Sequence, residues 1–166
     1  MDKSVTETAP VMDFIGVTSQ FCSLIDERDQ IKDMELLGRA YGLLPQLCLH
    51  ASRLPTIDGC ELFKEATPHS QWQTLRESLR TKLAEYDAYL EVLDPYDFEG
   101  GEPGHGSLSE DLADIYEEIA PGLRQWEQAD SDKRCGVVAA WKLDYEIHWG
   151  EHATGAFRAI HFVLFM

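Results

Sequence analysis

Hydrophobic positions recur at three- and four-residue steps along most of the chain, which is the spacing of amphipathic helices. The pattern predicts a first helix over about residues 8–28 and a second over about 33–53. A third helix is predicted from Pro68 to about Leu93. Its apolar stripe consists of Trp72, Leu75, Leu79, Leu83, Tyr86 and Leu90.

The second half of the chain predicts two more helices after a break. Residues 94–106 are rich in glycine, proline and acidic residues without periodicity, which is typical of an exposed loop. Ser107 and Glu110 form a capping box that begins a fourth helix, whose apolar stripe reaches Trp126. A fifth helix is predicted from about Lys133 to the last residues.

The helical stripes together predict the fold class. No segment shows the alternation of a half-buried strand over a useful length, so the amphipathic helices must bury their stripes against one another. We therefore expect all 166 residues to form a single domain, an all-α bundle of about five helices.

Composition narrows the range of partners. A net charge of −16 repels phosphate backbones and anionic lipids, so neither nucleic acid nor a membrane is expected as a partner. The first residues, MDKSVTETAP, lack the apolar core of a secretory signal, and no apolar run approaches the roughly 20 residues of a membrane span. These features predict a cytoplasmic protein.

The spacing of the four cysteines does not indicate a metal-binding or redox site. Cys22, Cys48, Cys60 and Cys135 are widely spaced, and no two of them form a C-x-x-C pair, which disfavours a zinc knuckle or a dithiol redox motif. We expect them to behave mainly as small hydrophobic residues.

The candidate chemistry lies near the end of the chain. His148, Glu151 and His152 stand in the order H-x-x-E-H, which one class of zinc peptidases uses. Such enzymes take a third ligand from a downstream glutamate, whereas the segment after His152, ATGAFRAIHFVLFM, contains no acid. We therefore interpret the match to the peptidase motif as coincidental.

A helical projection assigns these histidines to the bundle interior. At about 100° per residue, both histidines fall on the same face as Trp141 and Tyr145. Three interpretations remain open: core histidines bonded to carboxylates, a small-ligand pocket, or a metal site. The pocket and its polar cluster would comprise Asp111, Asp114, Trp141, Tyr145, His148, Trp149 and His152. The metal site would use His148, His152 and Asp144, completed by carboxylates of helix four such as Asp111, Asp114 and Glu118.

Several motifs resemble a known bacterial family. They are the S-x-x-x-D-L-A-D-I-Y run from Ser107 to Tyr116, the H-W-G triplet from His148 to Gly150, AFRAIH ending at His161, and LLPQL around Pro45. Together they are similar to domain of unknown function family 5063, over nearly the whole chain. The resemblance implies a helical fold, a bacterial origin and no established activity. It also gives weight to Asp111, Asp114, His148, Trp149 and Gly150 as a motif set.

Two functional hypotheses follow. The first is a non-enzymatic helical module, without a cofactor, that binds a small ligand or a protein partner, and the acidic surface favours a basic partner. The apolar tail IHFVLFM must pack inside the bundle or against another subunit, so a homodimer is included in this hypothesis. The alternative is a metal-binding bundle enzyme that uses His148 and His152 with the carboxylates of helix four. No catalytic residue is assigned.

Overall fold

Six α-helices and one short β-hairpin make up the computed structural model, which describes residues 5–63, 65, 67–92, 96 and 103–166. The helices are α1 Ala9–Asp26, α2 Asp33–Ser52, α3 His69–Leu83, α4 Leu108–Gln128, α5 Ser131–Asp144 and α6 Gly150–Phe165. The hairpin pairs β1 Ala88–Glu91 with β2 Gly104–Ser107, and a π turn, Tyr145–Trp149, joins α5 to α6. The predicted all-α bundle is confirmed.

The helices pack around one hydrophobic core. α2 lies between α1 and α6, while α4 contacts α1, α3, α5 and α6. Phe14 of α1 is fully buried, and its ring centroid lies 5.2 Å from that of Trp141 and 6.3 Å from that of Trp149. Replacing such a ring by alanine typically costs about 3–5 kcal/mol. The centre of the bundle is therefore held by α1 and the C-terminal helical segment.

Local sequence explains how α4 begins. The Ser107 hydroxyl accepts a hydrogen bond from the Glu110 backbone N–H at 3.3 Å, which confirms the predicted cap. Asp87, which the sequence did not single out, accepts a second bond from the Ser109 N–H at 2.7 Å. These two acceptors satisfy donors that the first turn of a helix leaves without partners.

The third helix is shorter than its periodicity predicts, and its predicted end at about Leu93 is wrong. α3 ends at Leu83, because the next residue, Ala84, adopts a left-handed φ of 48° that turns the chain. Leu90, which the pattern placed on the buried stripe, is 64% exposed and lies in β1 instead.

The hairpin places one side chain against α4. Tyr89 pairs with Gly106 across the two strands, and its ring occupies the space that a Cβ at position 106 would fill. The Tyr89 hydroxyl donates a 2.7 Å hydrogen bond to Oδ2 of Asp111. Most of the predicted loop 94–106 lies outside the described residues, but its last residues, from Gly104, belong to β2.

The C-terminal segment is helical from Ser131 to Phe165, as predicted, but it contains the π turn. There the Gly150 N–H bonds the Tyr145 carbonyl five residues back, which adds one residue to that helical turn. The extra residue rotates the segment relative to a regular α-helix. As a result Trp149 is fully buried, whereas the His148 side chain is 47% exposed. The predicted inward orientation of His148 is therefore wrong.

The structure corrects the interpretation of two cysteines. Cys60 and Cys135 form a disulfide with a Cα–Cα distance of 6.1 Å, while Cys22 and Cys48 are free.

Within the described part of the chain, no helix has both the length and the apolar character needed to cross a bilayer.

Candidate metal centre

Three potential ligands converge between α4 and the C-terminal helical segment. One carboxylate oxygen of Asp114 and one ring nitrogen each of His148 and His152 all lie within 4.8 Å of one another. The two histidines are four residues apart on a helix, so both rings project on the same side towards α4. Their ring centroids are 4.9 Å apart.

His152 is held by one carboxylate and faces another. Its Nδ1 lies 2.9 Å from Oδ1 of Asp111, whose side chain is only 5% exposed. An ionised carboxylate can only accept, so Nδ1 carries the proton and the neutral ring has its lone pair on Nε2. That Nε2 lies 3.6 Å from Oδ2 of Asp114, which is too long for a hydrogen bond.

His148 is oriented in the same way by a different residue of α4. Its Nδ1 lies 3.1 Å from Oε1 of Glu118, one helical turn beyond Asp114. The same reasoning places the proton on Nδ1 and leaves Nε2 as the available ligand atom.

Asp114 is fixed through its other oxygen. Its Oδ1 accepts a 2.6 Å hydrogen bond from the indole N–H of Trp72 on α3, and its side chain is 14% exposed. The bond uses one oxygen and leaves Oδ2 directed at His152. Each of the three potential ligands therefore has one polar atom held by a neighbour and a second atom available.

Such an arrangement is the usual environment of a metal-binding histidine. A ligating imidazole normally donates its remote N–H to a carboxylate or carbonyl, which fixes the tautomer and the ring orientation. Asp111 does this for His152 and Glu118 does it for His148. Asp111 is itself held by the Tyr89 hydroxyl, so the support extends to the hairpin.

The distances fit a small cation after a modest movement. Ligands bound at about 2.1 Å in a tetrahedron lie about 3.4 Å from one another, close to the 3.6 Å that separates His152 from Asp114. The largest ligand separation, 4.8 Å, requires further contraction. His148 can supply it by turning about its contact with Glu118, because its side chain is 47% exposed.

The surrounding charges favour a cation. Burial raises the pKa of Asp111, although the hydrogen bonds from His152 and Tyr89 oppose that shift. The hydrogen bond to Asp111 raises the pKa of His152. Burial also raises the pKa of Glu117, and repulsion from Asp114 and Glu118 adds to the increase. These carboxylates crowd one end of α4, and a divalent cation would relieve their mutual repulsion.

The structure brings together only part of the predicted cluster. Asp111, Asp114, His148 and His152 meet as described, whereas Trp141 and Trp149 are core residues at 1% and 0% exposure. Tyr145 is half-buried and packs on Trp149, with 4.8 Å between ring centroids. Asp144 is outside the converging group and lines, together with Glu118, a cavity of about 300 Å³.

Two residues that hold the carboxylates of the centre in place were not identified from the sequence. Trp72 was assigned to the apolar stripe of α3, and Tyr89 was not considered, yet both donate to carboxylates of the centre. The available indication was the spacing of Asp111, Asp114 and Glu118 at three and four residues, which places them on one face of α4.

Comparison with known proteins supplies the family but no activity. No curated protein matches this chain. Among solved structures, the chain is similar to the crystal structure of protein BF1032 from Bacteroides fragilis. The two are 27% identical with a TM-score of 0.82, over 96% of this chain and 94% of that one. A family model described as a domain of unknown function, DUF5063, matches residues 6–166, and the chain therefore belongs to that family.

Proposed function

We propose that this protein binds a divalent transition-metal ion through Asp114, His148 and His152. The observation that supports this most directly is that both histidines have the same ring nitrogen bound to a carboxylate of α4. Each has its Nδ1 within hydrogen-bonding distance of a carboxylate of α4, at 2.9 Å and 3.1 Å, which leaves the Nε2 of each ring available to an ion. Two histidines held in the same way, close to the available Oδ2 of Asp114, are better explained by coordination than by packing alone.

The donor set favours particular ions. Two imidazoles and one carboxylate suit Zn²⁺ or Fe²⁺, and three protein ligands leave at least one coordination position for water or a substrate. A bound ion would supply Lewis-acid or redox chemistry at that open position. The residues of this chain would hold the ion and orient its ligands: Asp111 and Trp72 fix the inner ligands, and Glu118 fixes the outer one.

The binding-module hypothesis stays a prediction beside this proposal, because a metal site is compatible with a structural or a recognition role. A cytoplasmic location also stays a prediction, which cell fractionation tests. The Cys60–Cys135 disulfide argues against it, since such bonds rarely persist in a reducing cytosol.

The test is metal binding by untagged protein freed of metal with a chelator. Calorimetric titration with Zn²⁺, and with Fe²⁺ under anaerobic conditions, should show one equivalent bound and a rise in melting temperature. Asp114→Asn, His148→Gln and His152→Gln should each weaken binding. His161→Gln is the matched control, because His161 also lies on α6 but bonds Tyr41 of α2. Less than about a tenth of an equivalent, with no gain in melting temperature, would reject the proposal.

A further inference from the structure

A cavity of about 1180 Å³ lies between β1 and α6, and Tyr89, which bonds Asp111 beside the candidate metal centre, is one of its lining residues. We call it the acidic groove. Residues 88–92 form one wall, and Glu151, Arg158 and Phe162 contribute to the other. Its volume exceeds the roughly 300–1,000 Å³ of a small-molecule pocket, which favours a longer occupant such as a peptide segment.

The wall of the groove formed by residues 88–92 includes one edge of β1. Successive side chains of a strand point to opposite faces, so a cavity lined by all five residues from 88 to 92 runs along the edge of the strand. β1 has one partner, β2, in a two-stranded sheet, and its second edge has no strand beside it among the described residues. An unpaired edge offers backbone donors and acceptors to an incoming strand.

The charges lining the groove are mostly negative. Four glutamates border it, at positions 85, 91, 146 and 151, against one guanidinium, that of Arg158. Lys142 neutralises Glu146 at 3.0 Å. Against the one guanidinium of Arg158, the remaining Glu85, Glu91 and Glu151 leave the groove with an excess of negative charge, which selects a basic occupant.

Apolar side chains are exposed between these charges. Leu90 is 64% exposed, Val92 51% and Phe162 53%. Leu90 and Val92 flank Glu91 at the end of β1, so an occupant that alternates basic and apolar residues would match both features.

From these observations we infer that the acidic groove docks an extended, basic and apolar segment of a partner protein, which adds a strand to the edge of β1 opposite β2. This inference does not depend on the proposed metal site, and its test uses metal-free protein so that the two can fail separately.

The test uses a capped peptide of about eight alternating lysine and valine residues, which has strong strand propensity. Binding is measured by fluorescence anisotropy, and amide shift changes locate the peptide by NMR. Glu91→Gln combined with Glu151→Gln should weaken binding by about five- to tenfold through the loss of two charge contacts. Glu35→Gln combined with Glu127→Gln removes the same charge from exposed positions outside the groove and should change it less than about twofold.

A second pair of variants tests the apolar contacts of the groove. Leu90→Ser should also weaken binding, whereas Leu49→Ser, at an exposed position on α2, should not. The inference is overturned by an equal effect of the two glutamine pairs, by equal binding of a peptide with glutamate in place of lysine, or by no measurable binding. Shift changes confined to residues outside β1 and α6 also overturn it.

Discussion

Nδ1 of His152 lies 2.9 Å from Oδ1 of Asp111, a residue 41 positions earlier in the chain. This contact leaves the second ring nitrogen directed at Asp114, at 3.6 Å. Asp111 is held in turn by Tyr89, so the position of one imidazole depends on α4, α6 and the hairpin together.

The His152–Asp111 contact should make stability depend on pH. The hydrogen bond raises the pKa of His152 above its ordinary value of 6.5. Its contribution to the free energy of unfolding is therefore complete below pH 6.5 and is lost as pH rises through the folded-state pKa. Urea unfolding of metal-free protein across this window should show the loss in the native protein and not in His152→Gln. A titration of the His152 ring protons by NMR should report the raised pKa directly, and a value at or below 6.5 contradicts the account.

Metal affinity should change in the opposite direction over the same window. Coordination through Nε2 requires the neutral ring, so binding must displace the proton that His152 holds at lower pH. Zn²⁺ affinity of the native protein should rise with pH through the His152 pKa, and titrations in buffers of different ionisation enthalpy should detect the released proton. An affinity independent of pH would mean that His152 is not a ligand.

Asp111→Asn should weaken Zn²⁺ binding by about 10–100-fold although Asp111 is not a proposed ligand, because a neutral amide holds the imidazole less firmly than a carboxylate. Asp26→Asn is the matched control. Asp26 also accepts a hydrogen bond from a tyrosine, Tyr116, at 2.8 Å, but lies outside the centre. Equal affinities for the two variants would show that Asp111 does not support the site.

Gly150→Ala tests the π turn. A Cβ at position 150 would meet the carbonyl and ring of Tyr145, whose oxygen accepts the Gly150 N–H. We expect a loss of about 1–3 kcal/mol in the free energy of unfolding, together with weaker Zn²⁺ binding, because the strain falls beside His148 and His152. Gly38→Ala, in α2 with open space around the added Cβ, should instead stabilise by up to about 1 kcal/mol. Similar effects at both positions would contradict this role of Gly150.

Ala84→Gly tests the turn that ends α3. Ala84 has φ 48° and ψ −112°, a conformation that costs a residue with a Cβ about 1–3 kcal/mol. Glycine removes that cost but adds chain entropy to the unfolded state, so we expect a net gain of about 0.5–1 kcal/mol in urea unfolding. Ala88→Gly, in β1, has no such strain to relieve and should destabilise. The same sign for both substitutions would argue against strain at Ala84.

Local patterns predicted the helices well and the centre only partly. The first two helices were expected over about 8–28 and 33–53 and are found at Ala9–Asp26 and Asp33–Ser52, because short-range periodicity determines them. The hairpin escaped prediction because its glycine-rich second strand gains its structure from pairing with β1 across the intervening loop. Long-range pairing of this kind leaves little trace in local sequence.

The candidate metal centre was also only partly predictable from local sequence. Both histidines and Asp114 were candidates from their spacing on helices, but a regular 100° rotation placed His148 inward. The π turn at Tyr145–Trp149 rotates that face and exchanges His148 for Trp149 in the core. Trp72 reaches Asp114 from another helix, 42 residues away, and no helical period could reveal that hydrogen bond.

Zinc K-edge X-ray absorption on the Zn²⁺-loaded protein tests the central claim most directly. Coordination by Asp114, His148 and His152 should give a shell of nitrogen and oxygen atoms at about 2.0–2.1 Å with multiple scattering from two imidazoles. That scattering should fall to one imidazole in His152→Gln and remain at two in His161→Gln. A spectrum of fully hydrated zinc, or a sulfur shell at about 2.3 Å from the free cysteines, would contradict a centre built from Asp114, His148 and His152.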